Sequence, residues 1–531
     1  MRWLIVLILT IAHTGGHAVV ANAEQPDPFV AADGVPADVS LYLHVADAAE
    51  LRRRIADRPL RRWFSSLLQQ GQIARMWDQL AHSAGLEPEA FFDRCFGRGF
   101  TLINRAPPGT ASGVEGAVPV PWVLVTDVEP EEVRPVLRSL RLKHLSPRSG
   151  RAVAELPEQE LLFCIGEHQL MIGPKPAPEL FWELLPHLGD PLARSLADSE
   201  PIARAKGLGS GRVGLMIRHN PPLGGWSVAV ADLQGEHATI RHAGSFDSPP
   251  FERSMTGTTW DPSPLEAFED SALLVVMEPT DVGGGSTAAY LQSVVGEPLI
   301  DEEMQANLGE TRIFALGEVE GRLQENPVDL LPATLAVIFK LKDSRNAEHH
   351  LDCSMFRLSR RLNELCDGTL LAGVPRRRDM LPGEPRSIKL NPSAELFGGA
   401  MPVMQHVSLN WAVAQNDDAG YYVIASHPDQ LQAALKALKQ KPARKPAAGR
   451  YTSCGFANGP RLGVHLRSYS DQASLFTGED PADAAQFRQT MLLLSELASG
   501  IHRCHWRLAR PSVNEMTLDL DLILSPPETV R

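Results

Sequence analysis

Cysteine is scarce in this chain, with six in 531 residues. That density excludes a scaffold stapled together by disulfides. Aromatic residues are also few, at 6%. None is interleaved with the basic stretches at Arg376 to Arg378 and Lys436 to Arg450. Binding sites for single-stranded nucleic acid need such aromatics as stacking platforms. The formal charge of −13 lacks the cationic excess that displaces counterions from a phosphate backbone. No nucleic-acid partner is expected. The basic stretches read as solvated linkers, with an anionic polymer as the other reading.

Long hydrophobic runs are missing beyond the first dozen residues, so no membrane span is expected once a leader is removed. The common catalytic signatures are missing too. There is no G-x-x-x-x-G-K-[ST], no G-x-S-x-G and no H-E-x-x-H. Gly283 to Ser286 reads as a capped loop, and Gly207 to Gly211 places its serine wrongly for a nucleophile elbow. His349 and Cys353 stand at i, i+4 on a predicted helix face, acceptable ligand spacing, but Leu351, Met355 and Phe356 mark an amphipathic helix on which the histidines read as a solvated pair. His502 and His505 fall on opposite faces of a predicted strand. No metal and no cofactor are expected.

What the chain does contain begins at its start. Met1-Arg2 is basic, Trp3 to Ala12 is apolar, and Ala21-Asn22-Ala23 offers a signal-peptidase site. Together they predict a signal peptide over residues 1–23, cut between Ala23 and Glu24, and a periplasmic or secreted protein. Residues 248–264 contain four prolines and read as a linker. It separates a first lobe, 24–247, from a second, 265–531.

The two lobes share an order of elements. Each opens on an apolar strand, Leu41 to Asp47 and Leu273 to Glu278. Strand-helix units follow, at Trp122 to Leu140 and Leu335 to Leu365. Hairpin-helix units come next, at Glu160 to Leu185 and Asn410 to Leu438. Both lobes end in alternating strands, Trp226 to Phe246 and Ile501 to Leu524. The pattern predicts an α+β fold of two related lobes, mainly antiparallel sheets with helices packed on them, arising from an internal duplication.

The strongest internal match is Arg212-Val213-Gly214-Leu215-Met216-Ile217-Arg218 against Arg461-Leu462-Gly463-Val464-His465-Leu466-Arg467. Read as strands, each places two arginines and a glycine on one face. A glycine there would admit a ligand or another backbone. Arg212, Arg218, Arg461 and Arg467 are therefore the candidate anion site, since guanidinium groups grip carboxylate and phosphate in bidentate fashion. The other reading pairs them with acids across a sheet edge. Cys454 with Cys504 is a candidate disulfide, against free buried thiols.

The stretch Val35-Pro36-Ala37-Asp38-Val39-Ser40-Leu41-Tyr42-Leu43-His44-Val45, followed by Leu51 and a helical run, resembles exported bacterial proteins of unknown function. Those proteins carry a proline-aspartate approach to a first strand and a repeated strand-helix series. The resemblance implies a similar fold and carries over no catalytic residue. With no assembled reactive centre, the chain reads as a binding or envelope-associated module rather than an enzyme, its partner an anionic ligand or an envelope component. The alternative is a hydrolase using carboxylates such as Asp127 and Glu129 after a strand end.

Overall fold

The computed structural model describes residues 27–56, 58, 72–105, 120–220, 224–248, 259–260, 265, 268, 272–279, 302–318, 333–365, 371–372, 384–390, 408–415, 419–439, 449–474 and 481–526. The leader, most of the linker, Gly283 to Ser286 and Arg376 to Arg378 lie outside them. The chain divides into two compact units, Met1–Ser254 with Arg510–Arg531, and Met255–Ala509. The fold is mixed α+β, and the strands pair antiparallel throughout the ladders below.

In the first unit the strands are β1 (Leu41–Ala46), β2 (Gly99–Asn104), β3 (Trp122–Asp127), β4 (Lys143–His144), β5 (Val153–Leu156), β6 (Leu161–Ile165), β7 (Gln169–Pro174), β8 (Val213–Arg218), β9 (Trp226–Gln234) and β10 (His237–Ser245). Their order across the sheet is β4-β5-β6-β7-β3-β2-β1-β8-β9-β10. Strand β1 is central and nearly all buried, as its apolar run requires. Helices α1 (Ala48–Ala56), α2 (Gln72–Ser83), α3 (Pro88–Phe96), α4 (Pro130–Ser139), α5 (Glu179–Leu184) and α6 (Glu200–Lys206) pack around it. The Phe100 and Thr126 face meets α3, where the Thr126 hydroxyl donates to the Cys95 carbonyl at 2.7 Å. The other face carries Tyr42, Ile103, Val123, Met171, Met216 and Val228. It is covered by Phe29, by Leu180 and Phe181 of α5, and by Ile202 and Ala205 of α6.

The second unit holds β11 (Thr259–Trp260), β12 (Leu274–Pro279), β13 (Leu308–Glu318), β14 (Ala333–Leu341), β15 (Leu371–Ala372), β16 (Arg386–Leu390), β17 (Ser408–Gln415), β18 (Gly420–Ala425), β19 (Gly449–Arg450), β20 (Ser453–Asn458) and β21 (Ile501–Ser512). Strands β11 and β19 form a small ribbon. The others run β15-β16-β17-β18-β14-β13-β12-β20-β21. Position for position this matches β4 through β9 of the first unit, with β1 and β12 at equivalent places. Its helices are α7 (Glu302–Asn307), α8 (Ala347–Leu365), α9 (Pro428–Lys439), α10 (Gly459–Asp471) and α11 (Pro481–Gly500). Leu431, Ala434 and Leu438 of α9 fill one side of the sheet against Val275, Ile313 and Phe456. Leu351 and Met355 of α8 pack with Phe339, Trp411 and Tyr422.

Three readings of the sequence are corrected here. Arg461 to Arg467 is helix, within α10, rather than strand. Asn458 caps that helix by accepting from the Arg461 amide at 3.3 Å, and Pro460 sits in its first turn. This Asn-Gly-Pro start outweighs the local alternation. The strand at the place of β8 in the sheet order is β20, and α10 and α11 lie between it and β21. Secondly, the C-terminal strand β22 (Glu515–Leu524), read with the second lobe, belongs to the first unit. It pairs with β10 along its length, from His237 opposite Ile523 to Ser245 opposite Glu515, and so covers an edge that would otherwise stay unpaired. Thirdly, Cys454 and Cys504 are not joined in the candidate disulfide. Cys454 stands opposite Arg507 in the ladder, so Cys504, three residues from Arg507, points to the other face.

Candidate functional site

Strand alternation puts Tyr42 and His44 on one face of β1. Tyr42 is fully buried, stacks on Phe29 at 5.7 Å, and its hydroxyl donates to the Pro28 carbonyl at 3.3 Å. His44 lies between Thr101 on β2 and Gly214 on β8. Its Nδ1 is 2.9 Å from Thr101 Oγ1.

Gly214 has no side chain to fill this face, and the chain uses the space for itself. Residues 27–36 cross the sheet here as a strap, passing through the short 3-10 helix Val30–Gly34. The strap is tied to a loop beyond α5. Leu192 donates its amide to the Asp33 carbonyl at 2.8 Å, Leu196 to that of Val35 at 2.7 Å, and Pro36 bridges to Ser195.

Between strap, loop and sheet lies a cavity of about 360 Å³. His44, Thr101, Val125 and Met171 contribute to its floor, while Val30, Leu184 and Leu188 make apolar walls. Asp33, Asp127 and Asp190 stand exposed at its mouth. Asp127 receives a long hydrogen bond of 3.4 Å from Gln169 Nε2. Among the described residues none of these three carboxylates pairs with a lysine or arginine.

Burial sets the chemistry of the floor. Desolvation holds the His44 ring below the ordinary histidine pKa of 6.5, although Asp127 and Asp27 pull the other way. The ring is neutral at pH 7. Desolvation also pushes the Tyr42 phenol far up, so it stays protonated. The Thr101 hydroxyl makes no other hydrogen bond among the described residues. With the Thr101 hydroxyl donating to Nδ1 the ring proton sits on Nε2; with Nδ1 donating to Thr101, Nε2 is an acceptor. Either way His44 offers a hydrogen-bonding ring nitrogen to the cavity. Among the described residues, the one hydroxyl beside the ring belongs to Thr101, which is itself 4% exposed.

The sequence candidates fall elsewhere. Arg212 flanks β8, half buried, with a buried Nη1 lacking a hydrogen-bond partner among the described residues. Arg218 ends β8 and donates from Nη2 to the Ala37 carbonyl at 2.8 Å. Arg461 and Arg467 lie on α10 of the second unit, about 120° apart around that helix. The paired-strand geometry behind the anion site is absent. Gly214 does admit another backbone, that of Pro28. Glu129 is drawn to Arg98 at 2.5 Å and does not line the cavity with Asp127. Cys353 Sγ lies 3.8 Å from His349 Nε2, the expected one-face pair. Among the described residues no group of three or more His, Cys, Asp or Glu is placed to hold a metal ion. His44 was passed over in the sequence. Its signal there was a lone ring in an otherwise apolar strand.

No protein-family model and no curated protein matches this chain. Among solved structures, crystal form I of TP0453 aligns at 13% identity, over 42% of this chain and 80% of its own, with a TM-score of 0.25. A superposition that loose carries no shared fold or function. No helix among the described residues is long and apolar enough to cross a membrane.

Proposed function

We propose that the chain is an exported, non-catalytic binding protein of the periplasm or cell exterior, whose first unit binds a small ligand in the cleft under the strap. The observation that carries this reading is the cleft itself, a cavity of about 360 Å³ with apolar walls and the buried, neutral His44 ring, hydrogen-bonded to Thr101, at its floor. Apolar walls with a few placed polar groups are what small-molecule sites are made of, and the volume lies within their usual range. The hydrolase reading with Asp127 and Glu129 loses Glu129, which is drawn to Arg98 and does not line the cleft. Asp33 and Asp190 do line it with Asp127, so turnover of a hit in the screen below would favour a hydrolase instead. Export rests on the leader read from residues 1–23. An internal duplication is supported by the shared strand order of the two units, with the α10–α11 hairpin as a later insertion.

The test is a ligand-observed NMR screen of a chemically mixed small-molecule library, with Val125→Phe as a variant whose larger side chain fills the cleft floor. Saturable hits that disappear in the variant are expected. Hits indifferent to Val125→Phe, or none at all, would rule the reading out. N-terminal sequencing of the protein from the cell envelope should begin at Glu24.

A further inference from the structure

We infer that the cleft takes a small organic cation, with its ammonium group among the mouth carboxylates and an oxygen at its inner end. This rests on the binding reading above and adds the chemical class of the ligand. Three observations lead to it.

The mouth has one sign of charge. Asp33, Asp127 and Asp190 line it, and among the described residues no lysine or arginine does and the only basic side chains there are the rings of His44 and His187. Carboxylates at the rim of a low-dielectric cavity focus negative potential into it, which draws cations and repels anions. The expected sign is thus opposite to that of the ligand read from the arginine strands.

The floor has its own demand. His44 is 6% exposed, and its Nε2 has no hydrogen-bond partner among the described residues although it borders the cavity. That nitrogen is open to the cavity, so a ligand oxygen hydrogen-bonded there takes the place of water. The carboxylates meanwhile do not converge into a metal cluster, which favours a charge spread over an ammonium group with several donors. Val30, Leu184 and Leu188 between mouth and floor call for an apolar middle.

A cation at one end, an oxygen at the other and a hydrocarbon body between them describe an aryl or alkyl amine carrying a hydroxyl. Three probes separate these demands: tyramine, phenethylamine without the hydroxyl, and 4-hydroxyphenylacetate with the charge reversed. Calorimetric titration at low ionic strength should show tyramine binding the full chain, phenethylamine binding more weakly, and the anion not binding. Asp127→Asn should weaken tyramine by about tenfold, the scale of one charge-assisted hydrogen bond. His44→Phe should erase the preference for tyramine over phenethylamine. Asp190→Asn is a second exposed variant, and urea midpoints confirm that each is folded. If 4-hydroxyphenylacetate binds as well as tyramine and is lost in Val125→Phe, the cleft is a binding site but the cation assignment falls. Binding of none of the three overturns the assignment too, while the library screen judges the binding reading separately. An unchanged tyramine affinity in Asp127→Asn folded as wild type also overturns it.

Discussion

Pro28 occupies the space that a side chain on Gly214 would need: a Cβ there would lie 2.5 Å from the Pro28 carbonyl oxygen. The strap over the cleft therefore depends on a glycine far along the chain. Gly214→Ala should push the strap off the sheet at a cost of about 1–3 kcal/mol, the range for overpacking. Limited proteolysis should then cut within residues 27–36, where the wild type resists. A variant as resistant as wild type would mean that the strap is not held by this contact.

Acid should weaken the first unit through its buried rings. Burial lowers the pKa of His44 and His219, and holds His242 down at about 4, with His219 adding to that effect. The unfolded chain, with rings near 6.5, binds more protons below that pH. The stability from these neutral rings is complete above pH 6.5 and is lost as pH falls. For His242 the loss is complete near pH 4 and amounts to about 3 kcal/mol. Urea midpoints measured from pH 7 to pH 4.5 should fall, and the fall should be shallower in His242→Gln.

The thiols should react in an order set by burial. Desolvation pushes Cys95 and Cys454 up to about 12, so neither presents a thiolate at pH 8. Cys353 and Cys504 are only half buried. Brief native alkylation with peptide mapping should label Cys353 and Cys504 first. Equal labelling of Cys95 would contradict its packing beneath β3.

In the second unit, Asp352 joins two elements. It accepts from Trp411 Nε1 at 2.8 Å and lies 3.1 Å from Arg386 Nε, close but not aligned for a hydrogen bond. Glu348 holds the same guanidinium at 2.5 Å. Asp352→Ala leaves a buried indole donor and a half-compensated buried cation. It should cost about 3–5 kcal/mol, while Asp352→Asn should cost less because it can still accept from Trp411. Equilibrium unfolding followed by tryptophan fluorescence distinguishes the two.

The α10–α11 hairpin shows where reading from local pattern breaks down. Seven residues around Gly463 alternate as a strand would, yet this glycine lies where the two helices cross. A Cβ on it would be 2.4 Å from Ser499 Oγ, and Ser495 Oγ donates to the Gly463 carbonyl at 2.7 Å. A glycine that admits another backbone is compatible with either element. The cap at Asn458 decides between them.

The residues alone determined the class of fold and most elements, because apolar periodicity and turn chemistry act within a few neighbours. The strands from Leu41, Trp122 and Leu335, the hairpins and the helix at Pro130 were all readable that way. Only the tertiary structure gave β22 to the first unit, set β20 in the place matching β8, and made a cleft of His44, the strap and three aspartates. Those outcomes rest on pairing and packing between residues far apart in the chain, and a local pattern records which face a residue turns but not which residue it will meet.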